Sequence, residues 1–158
     1  MGGDMRISGN IGDNALIAGG TITISGTIGG DLFVAGEDIQ LQGRVTGDIR
    51  AVGGRIALTN SASGDVNLAG GEVRVMSGVR VGRDLSIAGS TIVMNGSIAG
   101  KSDITAEILN IDGTIAGDAS ISINDVKNLH IGPNANIIGK LTYKSQSPIP
   151  NLEKIAAQ

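Results

Sequence analysis

Cysteine and tryptophan are absent, and the only aromatic side chains are Phe33 and Tyr143. Without cysteine there is no disulfide framework and no thiolate site, although that absence does not identify a compartment. With almost no rings, a core must come from Ile, Val, Leu and Ala, which suits a narrow interior. Proline occurs three times in 158 residues and glycine follows no three-residue period, so a collagen-type triple helix is excluded. No apolar run approaches the roughly 20 residues of a membrane-spanning helix. Met1-Gly2-Gly3-Asp4 shows no apolar leader segment. Positive charge is not in excess. The net charge of −3 gives no continuous nucleic-acid footprint, so no nucleic-acid partner is expected. Apolar residues make up 41%, too many for a chain disordered by composition.

Glycine is plentiful, 26 residues, and it is placed periodically. Gly12, Gly30, Gly47, Gly64, Gly82, Gly100 and Gly117 are separated by 18, 17, 17, 18, 18 and 17 residues. Aspartate follows at Asp13, Asp31, Asp48, Asp65 and Asp118. So short a fixed period indicates a solenoid in which each repeat buries its apolar face against its neighbours. Between glycines, apolar and polar residues alternate with the two-residue period of a half-buried strand. Glycine then marks corners that need positive φ or close backbone approach. Three short strands per coil predict an all-β, triangular parallel β-helix of seven to eight coils, with about 17–18 residues per coil. At strand spacing the stack is roughly 35 Å long.

Aligned coils give inward columns. The first strand contributes Ala15, Leu32, Ile49, Val66, Leu85, Ser102 and Ala119, then Ile17, Val34, Ala51, Leu68, Ile87, Ile104 and Ile121. The second contributes Ile22, Ile39, Ile56, Val73, Ile92 and Leu109, then Ile24, Leu41, Leu58, Val75, Met94 and Ile111. The third contributes Ile28, Val45, Ala62, Val79, Ile98 and Ile115. Ser102 is the one polar member and is expected to hydrogen-bond locally, because a buried unpaired hydroxyl is costly. Outward, Asp38, Arg55 and Glu72 alternate in sign and predict a salt-bridge ladder of small value.

The β-helix is expected over residues 5–144, with residues 1–4 a linker or cloning remnant and 145–158 a tail. Ile7-Ser8-Gly9-Asn10-Ile11-Gly12 matches the second half of a repeat, so the chain starts mid-coil, as a piece cut from a longer protein would. Asn124-Asp125-Val126-Lys127-Asn128 inserts a corner, and Gly132-Pro133-Asn134 signals a turn. In the tail, Asn151 is a candidate N-cap for one or two helical turns reaching Ala157, lying over the final coil.

Candidate chemistry is sparse. A stacked Asp column can ligate Ca²⁺, but it is interrupted by Lys101 and Lys140, and Asx-type corner hydrogen bonding explains the aspartates more simply. His130 has no carboxylate at a fixed spacing, so general-base work has no oriented partner. Hexapeptide-repeat acyltransferases use such a histidine but keep a strict six-residue apolar spacing, absent here. Corners of one to three residues leave no loops to wall a small-molecule cleft. The Thr21 and Thr23 pair does not continue into the flat array of an ice-binding face. No complete phosphate-binding glycine loop is present. The chain is therefore expected to be no enzyme, with no catalytic residue, cofactor, metal or small-molecule substrate. The six arginines from Arg44 to Arg83 are interleaved with acids and read as solvated surface, with an anionic lipid or cell-wall site as the sharper alternative.

Gly30-Asp31-Leu32-Phe33-Val34-Ala35-Gly36, Gly64-Asp65-Val66-Asn67-Leu68-Ala69-Gly70-Gly71 and Gly139-Lys140-Leu141-Thr142-Tyr143 resemble the bactofilins, polymer-forming bacterial proteins. Ala18-Gly19-Gly20-Thr21-Ile22-Thr23-Ile24-Ser25-Gly26 resembles bactofilin-like domains carried on larger membrane-associated proteins. The resemblance spans roughly residues 5–144. It implies a right-handed coil, nucleotide-free head-to-head and tail-to-tail polymerisation, and a scaffold role at the cytoplasmic face of a bacterial membrane or in association with it. The inserted corner near Asp125 departs from the pattern at the end where one such contact would form. The residues independently suggest assembly, because a coil stack exposes unpaired strand edges at both ends. The expected partner is a second copy of the chain, with a membrane or cell-envelope partner beside it. The alternative is a non-polymerising surface or ligand-binding domain of a larger membrane protein, an extracytoplasmic location included. Such a domain would work through a side face at Arg50 or Arg74.

Overall fold

The computed structural model describes residues 3–146; the tail helix expected from Asn151 lies outside them. The strands are β1 (Met5–Ile7), β2 (Ala15–Ala18), β3 (Thr21–Ile24), β4 (Leu32–Leu41), β5 (Ile49–Leu58), β6 (Val66–Val75), β7 (Arg80–Val81), β8 (Leu85–Met94), β9 (Ser97–Ile98), β10 (Ser102–Ile111), β11 (Thr114–Ile115), β12 (Ala119–Ile123), β13 (Leu129–Ile131), β14 (Asn136–Ile137) and β15 (Leu141–Lys144). All pairings are parallel, and the chain is a β-solenoid of about seven turns, consistent with a parallel β-helix. The first two faces of the triangle are not separate strands in the middle coils. β4, β5, β6, β8 and β10 each run ten residues and turn the corner within the strand. The third face is narrow, made of isolated bridges such as Ile28 to Val45 and of the two-residue strands β7, β9, β11 and β14.

The alternation places every second residue in the lumen. Leu32, Ile39, Ile49, Leu58, Val66, Val73, Val75, Ile92 and Ile104 have no measurable exposure. Val34, Leu41, Ile56, Leu68, Leu85, Ile87 and Ile111 are buried beside them. Register along the first two faces follows the expected columns, for example Leu32 to Ile49 to Val66 to Leu85.

Three local expectations are corrected. The regular coil is 17 residues, as from Leu32 to Ile49, while Val66 to Leu85 is 19 and Ala119 to Leu141 is 22. The first excess is a two-residue turn at Ser77 and Gly78, where Val79 N–H donates to Met76 O at 3.3 Å and Gly78 takes φ of 86°. That backbone needs glycine at the third position of the turn. The third-face column accordingly passes through Val81, bridged to Ala62, while Val79 is buried at the corner beside it. The second excess is divided. Leu109 pairs Leu129 at a spacing of 20, with Asp125 capping a single 3-10 turn at Val126–Asn128; the remaining two residues form the Gly132–Ala135 turn, closed by Ala135 N–H to Gly132 O at 3.2 Å.

Ser102 is the third correction. It is 2% exposed, and its hydroxyl finds no partner among the described residues. It points inward between Leu85 and Ala119 in the column. The coil-to-coil ladder uses the backbone around it, with Ser102 N–H donating to Asp118 O at 2.8 Å and Leu85 N–H to Lys101 O at 2.8 Å.

Two stability outcomes follow from this interior. Ser102→Ala removes an unsatisfied buried hydroxyl, so urea denaturation should show unchanged stability or a gain of about 1 kcal/mol. Leu68→Asp buries an unpaired carboxylate in mid-stack and should cost more than about 4 kcal/mol, abolishing the cooperative transition followed by circular dichroism.

Candidate self-association surfaces and the corner column

The corner column is the most regular polar feature. Asp31 N–H donates to Asn14 Oδ1 at 2.7 Å, Asp48 N–H to Asp31 Oδ1 at 2.9 Å and Asp65 N–H to Asp48 Oδ1 at 2.9 Å. Asp84 N–H donates to Asp65 Oδ1 at 3.1 Å and Lys101 N–H to Asp84 Oδ1 at 2.8 Å. Each side chain thus satisfies the amide of its equivalent one coil later, not an amide of its own turn as an Asx turn does. Lysine cannot accept, so the ladder skips a rung at Lys101 and resumes where Lys140 N–H donates to Asp118 Oδ1 at 2.9 Å. Asp13 is not a rung. Its carboxylate accepts from Asn14 N–H at 2.8 Å, below the first member. Asp84, which Arg83 displaces by one place from the glycine spacing, is a full rung, and Asn14 is a rung that the spacing does not reveal because the register is one residue off at that coil.

The paired glycine has a physical cause in the same contact. A methyl group on Gly47 would overlap Asp31 Oδ1 and come within 2.6 Å of Gly30 O. Close approach, not positive φ, is therefore what the corner demands. Gly30, Gly47, Gly64, Gly100 and Gly117 share this column, whereas Gly12 lies beneath Gly29 and Gly82 lies over Ser63. Arg83 occupies the column position in that coil, and its Nε lies 3.4 Å from Asp65 Oδ1. A second corner repeats the device: Asp112 Oδ1 accepts from Asn134 N–H at 2.8 Å and Asp112 Oδ2 from its side-chain amide at 2.9 Å. The side-chain amide, then the backbone N–H, holds the Asp112 carboxyl below its ordinary value of 3.8.

The expected Asp38, Arg55 and Glu72 ladder is split. Arg55 binds Asp38 Oδ2 through Nη2 at 2.9 Å and Nε at 3.1 Å, while Glu72 takes Arg74 Nε of its own strand at 2.6 Å. The two-residue repeat puts Glu72 and Arg74 on one face, and that local pair competes with the cross-coil one. Arg50 lies 5.1 Å over the Phe33 ring and 3.8 Å from Asp48. His130 is exposed on β13 in register with Asn110.

The two ends of the stack differ from its middle. At the N-terminal end β1 pairs only β3 and β2 pairs only β4, leaving one edge of each unpaired among the described residues. Met5 is in the inward column with Ile22 but is 39% exposed, and Ile7 and Ile11 are half-buried against the core. Leu16 borders this end at 86% exposure. At the C-terminal end β13, β14 and β15 each have one partner among the described residues. Leu129, Ile131 and Leu141 are half-buried there, and Tyr143, in register with inward Ile121, is 37% exposed.

The chain matches no family model, no curated protein and no solved structure.

Two measurements check the corner. Asp48→Ala leaves the Asp65 amide unpaired and should cost about 1–3 kcal/mol in chemical denaturation; Gly47→Ala should cost more, since both its neighbours are fixed. The Asp112 carboxyl should titrate below 3.8 by carbon NMR and return toward it in Asn134→Ala. Because the folded form holds the lower value, this contribution to stability is complete above the unfolded-state value and is lost as pH falls through the folded one.

Proposed function

We propose that the chain is a structural scaffold module that self-associates end to end and organises partners at a bacterial membrane, the role its resemblance to bactofilins implies. The observation that carries this reading is the pair of open ends. Among the described residues each combines unpaired parallel edges with inward apolar side chains only partly covered: Met5 and Ile7 at one, Ile131, Leu141 and Tyr143 at the other. Natural sheets usually cover or charge such edges, and an uncovered one is a template for pairing.

The Asx column bears on the kind of contact. Lys140 offers no acceptor to a coil stacked in parallel above it, and below Asn14 the carboxylate of Asp13 already takes the amide. Head-to-tail continuation would proceed without the ladder at that junction, as the stack does above Lys101. Isologous contacts of like ends do not require it, and alternating two of them gives a filament without polarity. The assembly needs no nucleotide, because pairing edges and burying apolar side chains supplies the driving force.

Light scattering and electron microscopy over a concentration series test the reading. The chain should form elongated, non-polar assemblies. Met5→Asp or Ile131→Asp alone should arrest growth at dimers, and the double variant should be monomeric. A parent chain that stays monomeric at high concentration would overturn the proposal.

A further inference from the structure

The six arginines between Arg44 and Arg83 do not share one fate. Arg50, Arg55, Arg74 and Arg83 each lie within salt-bridge distance of a carboxylate. Arg44 and Arg80 have no carboxylate partner among the described residues, and both lie on the narrow third face. The outward column of that face reads Thr27, Arg44, Ser61, Arg80, Ser97 and Thr114, with no acid in it. Salt bridging therefore neutralises four of these six arginines and leaves the two on the third face without a carboxylate.

These two arginines wall one hollow of about 450 Å³, with Ser61, Ser63 and Asn60 between them and no carboxylate in its lining. Ser61 is the rung between the two arginines, which places them two rungs apart, about 9.5 Å along the stack. The Ser61 hydroxyl accepts from Arg80 N–H at 3.0 Å, which leaves its own hydrogen to donate. Ser61 N–H is tied to Asn60 Oδ1 at 2.7 Å, and the Asn60 amide to Gln42 O at 3.0 Å, so the floor of the hollow is fixed. Two planar cationic forks flanking a hydroxyl donor, with no competing acid, match a tetrahedral oxyanion better than a cation or an apolar ligand.

We propose that Arg44, Ser61 and Arg80 form a phosphate-binding site on the third face. The site is independent of end-to-end assembly, since it lies on the side of the middle coils. The phosphate can be a free ion or the headgroup of an anionic lipid; the donors are the same, and an experiment separates the sources.

The test is equilibrium dialysis of the full chain against labelled inorganic phosphate at low ionic strength, with sedimentation on phosphatidylglycerol and phosphatidylcholine vesicles in parallel. Dialysis does not depend on assembly state, and the sedimentation arm is read as the excess pelleted over a vesicle-free control, which removes any chain that pellets through its own assembly. Saturable binding of one phosphate per chain is expected, with a Kd on the order of 1 mM. Arg44→Gln/Arg80→Gln should weaken it at least about tenfold, while Arg55→Gln, which removes a neutralised arginine, should leave it unchanged. Binding to phosphatidylglycerol vesicles alone, lost in the same double variant, supports the site and names the headgroup as the source. Binding unaffected by the double variant, equal loss in Arg55→Gln, or no binding in either arm overturns the proposal. All three positions are exposed, and an unchanged thermal midpoint separates lost binding from lost fold. If the Gln double variant does not fold, Arg44→Lys/Arg80→Lys decides: it keeps the charge but loses the fork, and undiminished phosphate binding in it also overturns the proposal.

Discussion

The stack depends on one contact repeated at one corner: an Asx side-chain oxygen receives the amide of the equivalent residue in the next coil. It closes the hydrogen-bond account where the strand ladder is interrupted, and it sets the distance between coils there. The same oxygen excludes a Cβ from the preceding position, which is why glycine and aspartate travel together. The dipeptide is a packing requirement spread across two coils, and neither residue is explained by its own turn.

From that contact the rest follows in order. With the corner pinned, alternation must deliver aliphatic side chains to a lumen too narrow for rings. Arg83 shows how the rule is relaxed: a bulky residue takes the glycine place, the hydrogen bond lengthens to 3.1 Å, and an ion pair to the displaced carboxylate accompanies it. Extra residues are absorbed at corners and on the third face, at Ser77 and Gly78, at Val126–Asn128 and at Gly132–Ala135. The broad faces keep unbroken register through all of them. A side face can therefore carry a distinct surface without disturbing the ends.

Much of the architecture was legible because strand alternation repeats at a constant interval, so each column was tested several times within one chain. Leu32, Ile49, Val66 and Leu85 identify one another. What misled was punctuation. Gly12 and Gly82 imitate the corner glycine one place early, so the spacing points to Asp13 where Asn14 is the rung and to Val79 where Val81 is the third-face residue. A two-residue insertion cannot be located from apolar spacing when both neighbours, Val79 and Val81, are aliphatic and both are buried. The partnering of surface charges was also illegible. Asp38, Arg55 and Glu72 align in sequence as a ladder, but Glu72 has a second arginine at equal reach on its own strand.

The sequence alone determined the parallel coil stack, its aliphatic interior and its approximate number of coils, because a period-two pattern nested in a period of 17 has one compact solution that buries every inward residue. Only the tertiary structure decided, among the described residues, which arginines are neutralised and which stand free, which edges lack a partner, and that Ser102 is buried without one. Those properties depend on distances between residues of different coils, and the choice among neighbours at nearly equal separation is made by side-chain geometry that no one-dimensional spacing contains.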